Sequence, residues 1–206
     1  MDFVYTLSAD DYMVDMSIQP HNMQWALAQN MSSLEMQWNQ LIPQQEKGRK
    51  FEEKYAQLQY MFVGGDIEKL SEMKADRAKE SARLKWIGYK DQFFSTVLIA
   101  QDGFESTQME STPQNALSRY IKEYKTIASL PFDITGKKNV DLKYYFGPNH
   151  YNTLKAYDKD VEKSERLHLN ELVPLGWKIV AWINKALVIP MFDLFSSWGL
   201  HIGIVI

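Results

Sequence analysis

The sequence predicts a mainly β protein: an antiparallel sandwich, followed by an amphipathic helix and the beginning of a transmembrane helix. Three observations support this prediction. Apolar and polar residues alternate through most of residues 1–146, turn residues interrupt the alternation at intervals of roughly 8–12 residues, and only Lys178, Lys185 and Asp193 carry charge after Leu172.

Four segments near the N-terminus show the alternation that a strand buried on one face requires. Their apolar positions are Phe3/Tyr5/Leu7, Tyr12/Val14/Met16/Ile18, Leu34/Met36/Trp38 and Leu58/Tyr60/Phe62. Turn residues separate the strands at 8–11, 19–22, 64–66 and 101–103, because glycine accepts a positive φ and short polar side chains bond their own backbone. This spacing favours a sandwich or a barrel over a βαβ fold.

Residues 83–100 form the most apolar part of this region and predict a central strand pair that is covered on both faces. Lys90, Asp91 and Gln92 are the expected connection. Short helices are predicted at 48–56 and at 148–157, the second with Pro148 in its first turn. The charged segment 66–85 leaves two alternatives open, one long helix or two exposed strands joined by a solvated loop.

Composition excludes several classes of protein. A net charge of -3 with 45% hydrophobic residues excludes a disordered tail, and the lack of a basic excess predicts no nucleic-acid partner. The absence of cysteine excludes disulfides, thiol nucleophiles and cysteine-ligated metals. The first fifteen residues carry four aspartates and no secretion signal, while hydrophobicity still rises at the C-terminus. We interpret the chain as an internal fragment of a longer protein.

The sequence predicts no catalytic, cofactor-binding or metal site. Its four histidines are scattered, and no nucleophile elbow, phosphate-binding loop or dinucleotide motif is present. The histidines are His21, His150, His168 and His201. A role in binding and positioning is therefore expected. The many aromatic residues could line a carbohydrate cleft, but alternating strands are expected to bury most of them in the core.

The region after Leu172 predicts a helix at a membrane surface. Apolar residues recur at spacings of three and four, tryptophans are interspersed, and the two lysines lie on another side. The alternative is a helix buried against the sandwich, but the apolar run 194–206 favours the membrane. The predicted membrane-interface residues are Trp177, Lys178, Val180, Trp182, Ile183, Lys185 and Leu187.

Several collinear motifs resemble the YidC membrane insertases. Leu-Val-Pro-Leu-Gly-Trp at 172–177 precedes the Trp/Lys helix, Ile-Pro-Met-Phe-Asp-Leu-Phe follows at 189–195, and Trp-Gly-Leu-His-Ile-Gly-Ile lies at 198–204. Upstream, Tyr-Phe-Gly-Pro at 145–148 resembles the end of the family's large extracytoplasmic domain. The run 86–94 resembles its central strand pair in Bacteroidetes-like sequences. One departure is Ser197, where the family usually has asparagine.

This resemblance implies a partial antiparallel β-supersandwich. Residues 1–170 would be the C-terminal part of a periplasmic domain, 171–190 an interfacial helix, and 191–206 the truncated start of a transmembrane helix. It further implies a non-enzymatic insertase and chaperone in the bacterial inner membrane. The implied partners are the bilayer and nascent membrane proteins, with the Sec translocase as a further candidate, and no cofactor. The alternative function is a membrane-anchored carbohydrate-binding or carbohydrate-active sandwich, since one fold serves many functions.

Overall fold

The computed structural model describes residues 1–174 and 184–197 and contains two antiparallel sheets that pack face to face. The first sheet has the strand order β1-β2-β11-β8-β7-β4-β5, and the second has the order β3-β10-β9-β6. The strands are β1 (Asp2–Leu7), β2 (Met13–Gln19), β3 (Ser33–Pro43), β4 (Gln57–Phe62), β5 (Ile67–Lys69), β6 (Asp76–Glu80), β7 (Leu84–Lys90), β8 (Phe94–Phe104), β9 (Thr107–Pro113), β10 (Tyr120–Pro131) and β11 (Val140–Pro148). The predicted mainly β sandwich is confirmed.

Helical structure is confined to short segments. The α-helices are α1 (Arg49–Tyr55), α2 (Tyr151–Ala156) and α3 (Ile189–Ser197), and a π-helical turn, Asn184–Val188, leads into α3. Turns of 3-10 helix occur at Met23–Trp25, Lys163–Glu165 and Leu169–Leu172. In residues 1–174 and 184–197, no helix has both the length and the hydrophobicity that a membrane span requires.

The core lies on both sides of β7. All seven residues of this strand are buried, as the apolar run 83–100 predicts. Ile87 and Tyr89 face the second sheet, whereas Trp86 faces an outer layer built from the chain after β11. Residues 91–93 connect β7 to β8, so the predicted strand pair is confirmed. Lys90, predicted to lie in the connection, is instead the last residue of β7 and is buried.

A buried polar link joins the two sheets. Tyr89 stacks on Trp38 with 3.8 Å between ring centroids. The Tyr89 hydroxyl donates to the Trp38 carbonyl oxygen at 2.8 Å and lies 2.7 Å from Thr126 Oγ1. Burial raises the pKa of Tyr89, so its hydroxyl stays protonated and keeps this donor.

Two strands differ from the prediction of one buried face. Every residue of β1 is exposed, because β1 is an edge strand that pairs with β2 alone. In contrast, β4 is buried on both faces, and the side chains of Gln57 and Gln59 are inside. Gln59 Nε2 donates to Gln57 Oε1, and Gln57 Nε2 donates to Glu72 Oε1, each at 3.0 Å. Alternation of polar residues cannot reveal this burial, because amides can satisfy one another inside the fold.

The charged segment 66–85 contains two short strands, not a long helix. They lie in different sheets, since β5 pairs with β4 and β6 pairs with β9. The turn predicted at 101–103 is wrong, because these residues lie within β8. Gly103 has a φ of 80° there, beside a register shift between Leu84 and Trp86, so it marks a bulge in the strand.

The helix predicted at 48–56 is confirmed as α1, whereas the second predicted helix begins later than expected. Pro148 is the last residue of β11 and pairs with Phe94, so its predicted place in the first turn of a helix is wrong. The helix α2 begins at Tyr151. Proline is compatible with both positions, and only the strand register distinguishes them.

Replacing Tyr89 with phenylalanine tests the link between the sheets. We expect Tyr89→Phe to lower the free energy of unfolding by about 1–2 kcal/mol, because the buried Thr126 hydroxyl and Trp38 carbonyl lose a partner. Urea unfolding measures the change. Tyr5→Phe on the exposed edge strand is the control, and equal stability of the two variants would contradict a role for the link.

Candidate functional site

The outer face of the first sheet is covered by the chain that follows β11. Leu154 of α2, together with Leu169 and Leu172, is fully buried in a cluster with Trp86 and Val97. Trp86 Nε1 donates to the Leu167 carbonyl oxygen at 2.7 Å, which satisfies the indole nitrogen in this apolar layer. These contacts fix the path of the chain towards the C-terminal region.

A carboxylate within this layer shapes the turn that precedes Leu169. Asp158 accepts from the backbone nitrogen atoms of Leu167 at 2.6 Å and His168 at 2.9 Å. His168 has a φ of 50°, a conformation that few side chains adopt without such support. Asp158 thereby holds the turn that directs Leu169 and Leu172 into the cluster.

A second carboxylate, Asp193 of α3, binds the start of α2. Its Oδ1 lies 3.1 Å from His150 Nε2, and its Oδ2 accepts from Asn152 Nδ2 at 2.7 Å. His150 Nδ1 lies 2.8 Å from Thr153 Oγ1, so the imidazole ring is held on both sides. We call this set of contacts the Asp193 joint. It attaches the apolar C-terminal helix to the sandwich.

Two predicted membrane-interface residues lie in the structure near this joint. Lys185 Nζ lies 5.4 Å from the centroid of the Tyr151 ring, a cation–π distance. Leu187 is 58% exposed, and Val188 and Met191 are exposed as well. Trp177, Lys178, Val180, Trp182 and Ile183 lie outside the described residues, so their predicted place at an interface stays a prediction.

Buried lysines occupy one end of the sandwich. Lys90 Nζ donates to the Tyr55 carbonyl oxygen at 2.9 Å, and Lys122 Nζ donates to the carbonyl oxygens of Ala56 and Glu72. Burial lowers the pKa of each lysine to about 8. Because their donors bind backbone carbonyls at the end of α1 and in the β5–β6 loop, both lysines serve the fold.

The clefts give no support to a carbohydrate site. One cleft of 510 Å³ lies beside α2, and another of 520 Å³ lies between the β4–β5 turn and the Lys163–Glu165 turn. Neither is lined by a phenylalanine, tyrosine or tryptophan ring, whereas Trp86, Tyr89, Tyr124 and Tyr145 are fully buried. In residues 1–174 and 184–197, no three His, Asp or Glu side chains are grouped to hold a metal ion.

The fold and the joint define a β-sandwich domain that carries an apolar helix fixed at its C-terminal side. A sequence model of the YidC periplasmic domain matches residues 1–190. The chain belongs to the YidC periplasmic domain family.

Curated relatives support this assignment along the whole chain. The chain is 48% identical to the "Membrane protein insertase YidC" of Parabacteroides distasonis, with 100% of this chain and 32% of that protein covered. It is 49% identical to the protein of that name from Azobacteroides pseudotrichonymphae, covering 34% of it, and 44% identical to the one from Bacteroides fragilis, covering 33%. In both cases 100% of this chain is covered. The chain therefore spans about a third of the length of the curated relatives it matches.

Sequence reasoning identified Asp193 and His150 separately but did not bring them together. They are 43 residues apart, and no local periodicity relates them. One signal was available, because Asp193 is the only charged residue from Ala186 to Ile206. A single carboxylate in an apolar run needs a polar partner, which the sandwich supplies.

The Asp193 joint can be tested by replacing its carboxylate. We expect Asp193→Ala to increase the rate of amide hydrogen exchange in α3 by about fivefold, since half-exposed polar contacts of this kind contribute up to about 1 kcal/mol. Asp102→Ala is the matched control, because it removes a similar surface pair with Lys138. Unchanged exchange in α3 would contradict a holding role for Asp193.

The buried lysines predict how stability depends on pH. Each has a pKa of about 8 in the folded protein against its ordinary value of 10.5, so the unfolded chain binds more protons between these values. The free energy of unfolding should therefore rise between pH 8 and about 9.5, by about 2 kcal/mol, before tyrosines of the unfolded chain ionise.

The double variant Lys90→Met/Lys122→Met should lose this rise, as measured by urea unfolding at several pH values. Lys137→Met, at an exposed lysine, is the control and should keep it. A double variant whose stability rises as steeply as that of the parent would show that other groups cause the dependence.

Proposed function

We propose that this chain is the extracytoplasmic part of a membrane protein insertase and chaperone, and that it acts by binding and positioning. One observation carries the proposal. The Asp193 joint holds the sandwich against the most hydrophobic segment of the chain through contacts of 2.7 and 3.1 Å. A folded domain attached in this way to an apolar helix stands at a defined place relative to a bilayer. The printed names of the relatives, membrane protein insertases, support the same role.

The proposed division of the chain has three parts. Residues 1–170 form the C-terminal part of a periplasmic β-sandwich domain, 171–190 the interfacial helix, and 191–206 the start of a transmembrane helix. Because α3 runs from Ile189 to Ser197, the interfacial and spanning segments share one helix near their boundary. The domain would thereby be coupled to the orientation of the first span.

The interface itself is assigned to the seven predicted residues. Burying Val180, Ile183 and Leu187 contributes roughly 1.5–3 kcal/mol for each side chain. Lys178 and Lys185 can keep their ammonium groups in water while their stems cover apolar surface. Trp177 and Trp182 are amphipathic rings of the kind that favour the headgroup region. Lys185 and the exposed Leu187 support this assignment.

The proposed setting is the bacterial inner membrane, with the sandwich in the periplasm. Its partners would be the bilayer, nascent membrane proteins and the Sec translocase. We propose no cofactor, no catalytic centre and no nucleic-acid partner. The formal charge of -3 supports the last point, and the scattered histidines support the absence of catalysis.

Partition into liposomes tests the interfacial helix. In a chain that ends at Pro190, we expect the triple substitution of serine for Val180, Ile183 and Leu187 to abolish co-sedimentation with liposomes and to leave the sandwich folded. The expected loss is large, because the apolar face supplies most of the partition free energy.

A matched control replaces Val4, Leu7 and Val63 with serine, since these residues are exposed elsewhere on the sandwich. Circular dichroism verifies that each variant is folded. If the parent and the first triple variant sediment equally, or if neither sediments, the interfacial assignment is wrong and the helix belongs to the protein core.

A further inference from the structure

Four connections meet at one end of the sandwich, which we call the lysine end. They are α1, the β5–β6 loop, the turn between β7 and β8, and the β9–β10 loop. The strand register brings them together, because Gln57 after α1 pairs with Lys90 at the end of β7, and Lys69 at the end of β5 pairs with Gln59. The opposite end carries the turn Met23–Trp25 and the β4–β5 turn.

Buried polar contacts lock these connections to one another. The Lys90 and Lys122 ammonium groups bind α1 and the β5–β6 loop, as described above. Arg49 of α1 donates to the β9–β10 region, and Asp91 accepts from the backbone nitrogen atoms of Phe93 and Phe94. The oxygens that accept from Arg49 are the carbonyls of Gln114, Asn115, Ser118 and Tyr120, at 2.7–3.1 Å. The lysine end is therefore a rigid surface.

Each connection presents a large apolar side chain to solvent. Fractional exposures are 56% for Phe51, 70% for Met73, 49% for Phe93, 59% for Phe94 and 96% for Leu117. Exposure of these apolar side chains to water is unfavourable, and it does not stabilise the fold. Phe93 and Phe94 are neighbours at the β7–β8 connection, and each of the other three side chains stands on a different connection. The five side chains therefore form a set of projections.

The exposed charges of the same four segments are mainly basic. In these segments and in the linker before α1, the exposed cations are Lys47, Lys50, Lys54, Lys74 and Arg119, and the exposed acid is Glu46. The β1–β2 turn at the same end of the sandwich adds the exposed Asp10 and Asp11, so cations remain in the majority. The other carboxylates here are already engaged: Glu52 accepts from the backbone of Gln45 and Glu46, Glu53 pairs with Arg49, and Glu72 pairs with Lys69. A basic surface on a chain of net charge -3 indicates an anionic partner.

The lysine end lies beside the Asp193 joint. Asn149 donates its backbone hydrogen to the Phe93 carbonyl at 2.6 Å, and its side chain donates to the Asp91 carbonyl at 3.1 Å. The next residue, His150, binds Asp193. The projecting phenylalanines and the apolar helix α3 are thus neighbours on the same side of the molecule.

We propose that the lysine end docks on an anionic phospholipid bilayer, with its phenylalanines and leucine in the headgroup region and its lysines near phosphate groups. The inference rests on the proposed function, since α3 brings a bilayer to this side. Aromatic and apolar projections ringed by cations match a charged interface that is apolar beneath. A second contact of this kind, apart from the interfacial helix, fixes the tilt of the sandwich above the membrane.

Site-specific labelling can test the proposal without background, because the chain contains no cysteine. The full chain would carry an environment-sensitive nitrobenzoxadiazole label at one position, Phe93→Cys, Leu117→Cys, Leu187→Cys or Trp25→Cys. The vesicles contain phosphatidylcholine with or without phosphatidylglycerol. We expect labels at 93 and 117 to gain about twofold in emission and to shift to the blue on anionic vesicles, whereas the label at 25, at the opposite end, does not change.

The label at 187 separates this inference from the proposed function. A response at 187 alone would overturn docking of the lysine end and leave the interfacial helix standing. Responses at 93 and 117 without one at 187 would overturn the interfacial helix. No response at any position would overturn both. A change without vesicles that grows with protein concentration would assign the surface to a second copy of the chain and overturn the lipid assignment.

Charge reversal tests the anionic partner. Lys50→Glu/Lys54→Glu should raise the concentration of anionic lipid needed for the response at 93 by at least about tenfold, because both lysines would change from attracting the surface to repelling it. The matched control, Arg83→Glu/Lys137→Glu, reverses two exposed charges at the opposite end and should have no effect. Equal effects of the two double variants, with thermal unfolding unchanged, would overturn specific docking.

Discussion

Strand β7 is buried along its whole length, and each of its faces therefore needs a covering layer. The second sheet covers one face through Tyr89 and Ile87. The other face carries Trp86, whose indole nitrogen requires an acceptor, and the chain after β11 supplies it from Leu167. The outer layer is thus part of the domain's core. Because α2 packs against β7 within this layer, His150 and Asn152, which contact Asp193, are held in fixed positions relative to the central strand.

A similar dependence governs the end of the sandwich where α1 lies. Two ammonium groups replace the water that would otherwise solvate the last carbonyls of this helix. Desolvation of the lysines opposes this arrangement, as their lowered pKa values show. In return, the hydrogen bonds of the two lysines hold the connections at this end in one geometry. The apolar side chains on these connections therefore stay exposed to solvent and do not fold back onto the core. Rigidity at this end and exposure of its side chains therefore have one cause.

The sequence was sufficient for the class of fold and for the central strand pair, because period-two patterning and a continuous apolar run have a direct physical meaning. The sequence was insufficient where the burial of a polar group, or the shape of a strand, depends on residues that are distant along the chain. Burial of Gln57 and Gln59 depends on each other and on Glu72, and the bulge at Gly103 depends on the register with β7. Exposure of β1 follows from its place at the edge, which alternation alone cannot reveal. The candidate site was predicted only in part, since Asp193 and His150 meet through the packing of α2.

The Arg49 guanidinium donates hydrogen bonds to four main-chain carbonyl oxygens in and next to the β9–β10 loop. The use of main-chain acceptors has an evolutionary consequence. Carbonyl groups are present whatever the amino acid, so the shape of the loop does not depend on the residues at its tip, such as Ala116 and Leu117. The side chains of Ala116 and Leu117 are exposed and do not contribute to the core. Substitutions at the tip can change what the surface recognises while the scaffold keeps its form. Arg49, together with Asn115 and Ser118, thereby holds the backbone of the loop, so evolution can alter the exposed surface at 116 and 117 without rebuilding the scaffold beneath it.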